Sequence, residues 1–142
     1  MMSYTLKNTC SIEGVGIHSG KLVRLIFKPT DFGKIRFIHQ PSEVIIDVDS
    51  PNISEKLTRA TQLSAEGIDI FTPEHLLAAC AALQLSSLDI IISANEVPIM
   101  DGSAQAFINL FKETGTTPVS NKDIKPITIS EPVTLFEKDA CI

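Results

Sequence analysis

Apolar and polar positions alternate along much of the first half of the chain. Val23, Leu25 and Phe27 are interleaved with Arg24, Ile26 and Lys28. That period of two predicts a strand with one apolar and one mixed face. Pro29-Thr30-Asp31-Phe32-Gly33 reads as a turn. Ile35 and Phe37 then alternate with Lys34 and Arg36, and the two runs flanking the turn predict an antiparallel hairpin. Val44 to Val48 predicts another short strand, closed by Asp49-Ser50-Pro51-Asn52.

The period then becomes helical. Thr72-Pro73 is a helix start signal, with Thr72 as N-cap and Pro73 at the first helical position. Leu76, Leu77, Cys80 and Leu83 follow at helical spacing and predict the inner face. Leu88 to Ser93, rich in β-branched residues, predicts a buried central strand. Val97 to Gly102 reads as a loop. Ser103 is expected to cap a second helix that turns Phe107, Ile108 and Phe111 inward and ends near Gly115. Ile127–Ile129 and Val133–Phe136 read as short strands around Pro132, and Glu137 to Ile142 as a strand running onward. This order predicts an α+β fold: one mixed, mostly antiparallel sheet with two helices packed on one face.

Composition narrows the class. The chain has 142 residues, which suits one domain spanning 1–142. Apolar residues make up 44% and charged residues 20%, which excludes a wholly disordered chain. The most apolar segment, Leu76 to Ile92, is interrupted by Gln84, Ser86, Ser87 and Asp89, so no membrane span is expected. The opening MMSYTLKN has no apolar stretch of the secretory kind, and no signal peptide is expected.

The net charge of −5 is unevenly spread. Residues 1–40 hold six Lys/Arg against two Asp/Glu, and residues 41–142 hold six against fifteen. A domain without a broad basic face is not a general nucleic-acid binder. The basic first part suits either an edge for a phosphorylated ligand or solvated strand faces. Cys10, Cys80 and Cys141 are far apart and lack the spacing of a disulfide framework or a thiolate zinc site. A reducing, cytoplasmic setting is the expectation.

Three segments have candidate chemistry. Glu74-His75 falls in the first turn of the helix opened by Thr72-Pro73. The positive helix end favours Glu74 and disfavours an imidazolium at His75, and a metal ligand must be neutral. Adjacent helical positions point about 100° apart, so one side chain could hold a metal while the other reaches its water. Position 79 is Ala, so no HExxH pair forms on this helix. The plain alternative is a helix start with an incidental histidine. Gly14-Val15-Gly16-Ile17-His18-Ser19-Gly20 is a glycine-rich segment suited to unusual backbone angles and close ligand approach, or simply to joining two strands. Glu96-Val97-Pro98-Ile99-Met100-Asp101-Gly102-Ser103 is the third, readable as a turn plus a capped helix. His39 lies near a strand end and reads as a packed or surface histidine.

Taken together and in order, these segments resemble one family. GVGIHSG at 14–20, Thr61 and Leu63, TPEHLLAA at 72–79 and EVPIMDGSAQAF at 96–107 are similar to the N-terminal domain of the UDP-3-O-acyl-N-acetylglucosamine deacetylases, zinc enzymes of lipid A synthesis. The resemblance implies two similar α+β domains with the active site between them. It implies His75 as the first of three zinc ligands and Glu74 as the general base. Ile17 is implied near the acyl-chain passage, and Thr61, in a matching stretch, is assigned with it to substrate binding. Many family members have a more apolar residue where Arg59 stands, so Arg59 departs from the family's pattern at that acyl contact.

The family's HKxxD motif, which gives a His and an Asp to zinc, has no counterpart in residues 1–142. The chain therefore reads as the first domain alone, inactive by itself. Its expected partners are an acylated UDP-sugar and a second domain or another copy of itself. Two other readings stand beside this one: a non-catalytic sugar-nucleotide or acyl-chain binding module, and a structural half-domain. A reading frame continuing into HKxxD would favour the enzyme, and a stop codon after Ile142 the binding module.

Overall fold

The computed structural model describes residues 3–49, 61–119, 130–134, 136–137 and 140–141. In chain order the elements are β1 (Tyr4–Leu6), β2 (Cys10–Val15), β3 (Leu22–Pro29), β4 (Ile35–His39), β5 (Ile45–Asp47), β6 (Gln62–Ala65), β7 (Ile68–Phe71), α1 (Glu74–Ala82), β8 (Leu88–Ile92), α2 (Gln105–Thr114), β9 (Thr116–Pro118), β10 (Phe136–Glu137) and β11 (Ala140–Cys141).

Five strands form the main sheet in the order β2-β3-β8-β4-β5. Only β4 and β8 run parallel; the other neighbours are antiparallel. The register places Cys10, Phe27, Ile90, Phe37 and Ile46 in one row, and Ile12, Leu25, Ile92 and His39 in the next row on that face. These rows, with Val23 and Leu88, form the floor of the core. Leu76, Ala79 and Cys80 of α1 and Phe107 and Phe111 of α2 cover it. Burying each large side chain of this kind stabilises the fold by roughly 1.5–3 kcal/mol. The expected layer of two helices over one sheet face is what the structure has.

The opposite sheet face is built differently. Ile26, Ile91, Ile38 and Ile45 stand in one row across four strands. Beside it runs a charged row of Lys28, Asp89, Arg36 and Asp47. The Arg36 guanidinium donates to both oxygens of Asp89 at 2.8 Å, and Lys34 donates to Asp47 at 2.5 Å. Cross-strand β-branched and opposite-charge pairs each contribute roughly 0.2–1 kcal/mol, so these rows add to the stability of the sheet.

The hairpin expected between β3 and β4 does not form. β8 lies between them and pairs with both. The turn at 30–34 therefore bridges two strand spacings of about 4.8 Å each rather than one. Gly33 takes a positive φ of 67° there, and its N–H donates to Ser87 Oγ at 2.8 Å, which fixes the turn to the start of β8. The physical reason is burial. Leu88, Ile90 and Ile92 are fully enclosed, and the most apolar strand takes the place flanked on both sides.

Smaller differences lie outside the main sheet. β1 pairs with β9, and β6 with β7, as separate two-stranded units. Near the end, β10 and β11 pair antiparallel with each other, which differs from a single strand running onward from Glu137. Val133 precedes them as exposed chain. The strand expected at Ile127–Ile129, the turn residues 50–52 and Arg59 lie outside the described residues. Among the described residues, no helix is long and apolar enough to cross a membrane.

Candidate active site

Helix α1 begins at an edge where three loops meet. Thr72, just before it, has a φ of 59°, unusual for a β-branched residue. The expected capping by Thr72 is not seen: no side-chain hydrogen bond caps this helix, and Pro73 is already in helical geometry with φ −79° and ψ −10°. Leu77 N–H donates to Pro73 O at 2.9 Å. The Thr72 hydroxyl points instead to Glu96 Oε1 at 3.5 Å, the outer limit of a hydrogen bond. A positive φ at Thr72 swings its side chain away from the first-turn amides, which is why the sequence signal fails.

Glu74 is exposed and His75 half-buried, both in the first turn of α1. Thr61 is exposed, and its carbonyl accepts the Thr72 N–H at 3.0 Å, which places Thr61 two residues from Glu74 through that bond. Ile17 is 58% exposed at the tip of the glycine loop. The loop closes on itself through Gly16 N–H to Lys21 O and Gly20 N–H to Gly16 O, each 3.0 Å.

Sequence reasoning missed what holds this loop. Glu96 is only 3% exposed. His18 N–H donates to its Oε1 at 2.9 Å and Ser19 N–H to its Oε2 at 2.8 Å. Two successive backbone N–H groups gripping a carboxylate form an anion nest, here filled from within the chain. Burial pushes the Glu96 carboxyl up, but the Ser19 side chain and the two backbone N–H groups pull it down further, so the net shift is below the usual glutamate value. The glycines follow from this arrangement. A Cβ on Gly16 would overlap Glu96 Oε2 and Ser19 Oγ, and one on Gly14 would overlap Met100 Sδ. The close approach that the glycines permit is thus made by the chain's own Glu96 and Met100. The available signal was an acid set directly before the apolar run Val97-Pro98-Ile99, a position where an unpaired carboxylate would be costly.

Asp101 follows Met100, another positive-φ residue at 55°. Its Oδ1 accepts the Ser103 hydroxyl at 2.9 Å and the Ser103 N–H at 3.0 Å. These bonds, and to a lesser degree the neighbouring His75, hold its carboxyl below the usual aspartate range. Ser103 in turn accepts the Gln105 N–H at 3.0 Å, so it serves the start of α2 from one residue ahead of the boundary residue Ala104. Gly14, Val15, Met100, Asp101, Gln105 and Asn109 are among the residues lining an open cleft of about 520 Å³ on this side.

Among the described residues, no three His, Cys, Asp or Glu side chains come together as a metal cluster. A hydrolytic zinc takes about three protein ligands. His75 has the chemistry of one, but the donor set described here does not by itself fit such a metal.

Residues 3–142 match the family model described as UDP-3-O-acyl N-acetylglycosamine deacetylase. A UDP-3-O-acyl-N-acetylglucosamine deacetylase of Oleidesulfovibrio alaskensis is 38% identical over 141 residues, covering 98% of this chain and 46% of that protein. Proteins of the same name from Synechocystis sp. and Syntrophotalea carbinolica are 35% and 36% identical, covering 99% and 94% of this chain and 52% and 43% of theirs. The chain spans about half the length of the curated relatives it matches. The chain belongs to the UDP-3-O-acyl N-acetylglycosamine deacetylase family.

Proposed function

We propose that this chain is the first half of a zinc-dependent amidohydrolase that removes the N-acetyl group from UDP-3-O-acyl-N-acetylglucosamine in lipid A synthesis. The relatives' shared name supports the substrate and the reaction. The observation that carries the site is the placing of Glu74 and His75 in one accessible helical turn, beside Thr61 and on the edge to which Glu96 ties the loop of Ile17.

In this reading His75 donates its imidazole to zinc, and a second half of the protein supplies the remaining ligands. Zinc, when bound, polarises the amide carbonyl and makes water easier to deprotonate. Glu74 accepts the proton of the attacking water as general base. Water adds to the acetamide carbonyl, the C–N bond breaks as the nitrogen takes up the proton held on Glu74, and acetate and the free 2-amine leave. Ile17, exposed on its loop, offers apolar surface to the acyl chain. The 142-residue chain alone neither holds zinc tightly nor turns over.

Zinc content after dialysis tests the assignment. The chain by itself should retain far less than one zinc per molecule. Completed with a second half like that of its relatives, it should retain one, and His75→Ala should lose it. Stoichiometric zinc in the His75→Ala protein would remove His75 from the ligand set.

A further inference from the structure

Glu96 is buried and charged, and the proposed reaction does not use it. We propose that Glu96 is a positioning residue, whose carboxylate ties the loop Gly16–Gly20 to the start of α1 so that Ile17 and the Glu74–His75 pair keep one mutual geometry. The functional meaning rests on the deacetylase reading; the coupling rests on the contacts alone.

A buried carboxylate is costly unless it is hydrogen-bonded. Glu96 reaches two segments far away in sequence: Oε1 and Oε2 take the N–H groups of His18 and Ser19, and Oε1 also faces the Thr72 hydroxyl. The backbone on either side of Glu96 stitches the same parts together. Phe71 N–H donates to Asn95 O at 2.8 Å, Val97 N–H to Phe71 O at 2.9 Å, and Ile99 N–H to Val15 O at 3.0 Å. Segment 95–99 is therefore fixed to the residue before Thr72 and to the residue before Gly16. The carboxylate adds two bonds to the loop and a long contact to the positive-φ turn at Thr72. Gly16 has no side chain because the carboxylate fills that space. A non-glycine residue at positive φ persists only where its surroundings over-determine it, and Thr72 is held by Thr61 O on one side and Glu96 on the other.

Amide NMR on the 142-residue chain tests the coupling. In the unaltered chain, His18 and Ser19 are exposed residues, yet their N–H groups should exchange slowly with solvent. Glu96→Gln should speed that exchange about tenfold, the difference between a charged and a neutral acceptor. It should also move the amide signals of 17–19 and of Thr72, Glu74 and His75 while leaving Ile90 in place. Gly16→Ala keeps the carboxylate but displaces it, and should move the same two groups of signals. In the completed enzyme, Glu96→Gln should raise KM and lower kcat with zinc retained.

Unprotected His18 and Ser19 amides in the unaltered chain would overturn the proposal, even if both variants fail to fold. So would shifts that stop at 17–19, or that spread evenly to Ile90 and Phe111 as a merely structural role would require. Absence of deacetylation from the unaltered completed enzyme would overturn the deacetylase reading, whereas the amide pattern decides the coupling.

Discussion

Phe27 and Phe111 meet edge to face, with ring centroids 4.9 Å apart and planes at 90°. One comes from the sheet and the other from α2, and both are fully buried. This pair joins the two layers at the centre of the core. Edge-to-face aromatic pairs contribute about 0.5–1.5 kcal/mol beyond their buried area.

Phe111→Ala should therefore destabilise the chain by about 3–5 kcal/mol, the range for a buried phenylalanine truncated to a methyl. Urea unfolding of the two proteins gives the difference. Phe111→Leu should cost markedly less, because it keeps most of the volume. A loss under about 1 kcal/mol for Phe111→Ala would show that the layers are not held together there.

The pH dependence of stability should bear the mark of Glu96. Its folded carboxyl lies below its unfolded value, so its contribution is complete above the ordinary glutamate range near pH 4.5 and is lost as pH falls through the folded value. Hydrogen bonds to a charged group contribute roughly 1.5–3 kcal/mol. The stability gap between the unaltered chain and Glu96→Gln should be of that order at pH 7 and should narrow below about pH 4.5. Asp47 and Asp101 are shifted the same way, so comparison with the variant isolates the part due to Glu96. A gap that stays constant down to pH 3 would contradict this.

Cys80 should be inert in the folded chain. Burial pushes its thiol up to about 12, so almost no thiolate exists at neutral pH. Iodoacetamide at pH 8 followed by peptide mapping should label Cys80 only after unfolding. Cys10 is half-buried, and burial raises its thiol too, but it should react before Cys80. Rapid labelling of Cys80 under native conditions would mean that α1 separates from the sheet.

Much of this architecture is legible in the residues, for identifiable reasons. The alternation through Val23, Leu25 and Phe27 marks one buried face, and each of the three is fully enclosed. The apolar run at Leu88–Ile92 marks a central strand, and Gly115, at φ 79°, marks the end of α2. Periodicity does not carry the choice of strand partner. A pattern of period two says which way Ile35 and Phe37 face, but not that β8 will slide between them and β3. The capping signal at Thr72 fails because its positive φ turns the hydroxyl away from the first-turn amides and toward Glu96, and local spacing contains nothing about residue 96. The same long-range contact is invisible to the local pattern at 96–103, which reads as a turn plus a capped helix. Glu74, His75 and the loop of Ile17 stand out by helix-start and glycine patterning, Thr61 and the individual roles come only from the motif resemblance, and the structure brings their segments to one edge.

Acetate release from UDP-3-O-acyl-N-acetylglucosamine by the completed protein, set against its Glu74→Gln variant, tests the central claim most directly. The account predicts acetate from the unaltered protein. It predicts a loss of about 10²–10⁴-fold in Glu74→Gln with zinc retained, the usual contribution of a general base. The 142-residue chain alone should release none. A Glu74→Gln protein working at the unaltered rate, or the 142-residue chain holding stoichiometric zinc and releasing acetate by itself, would contradict it.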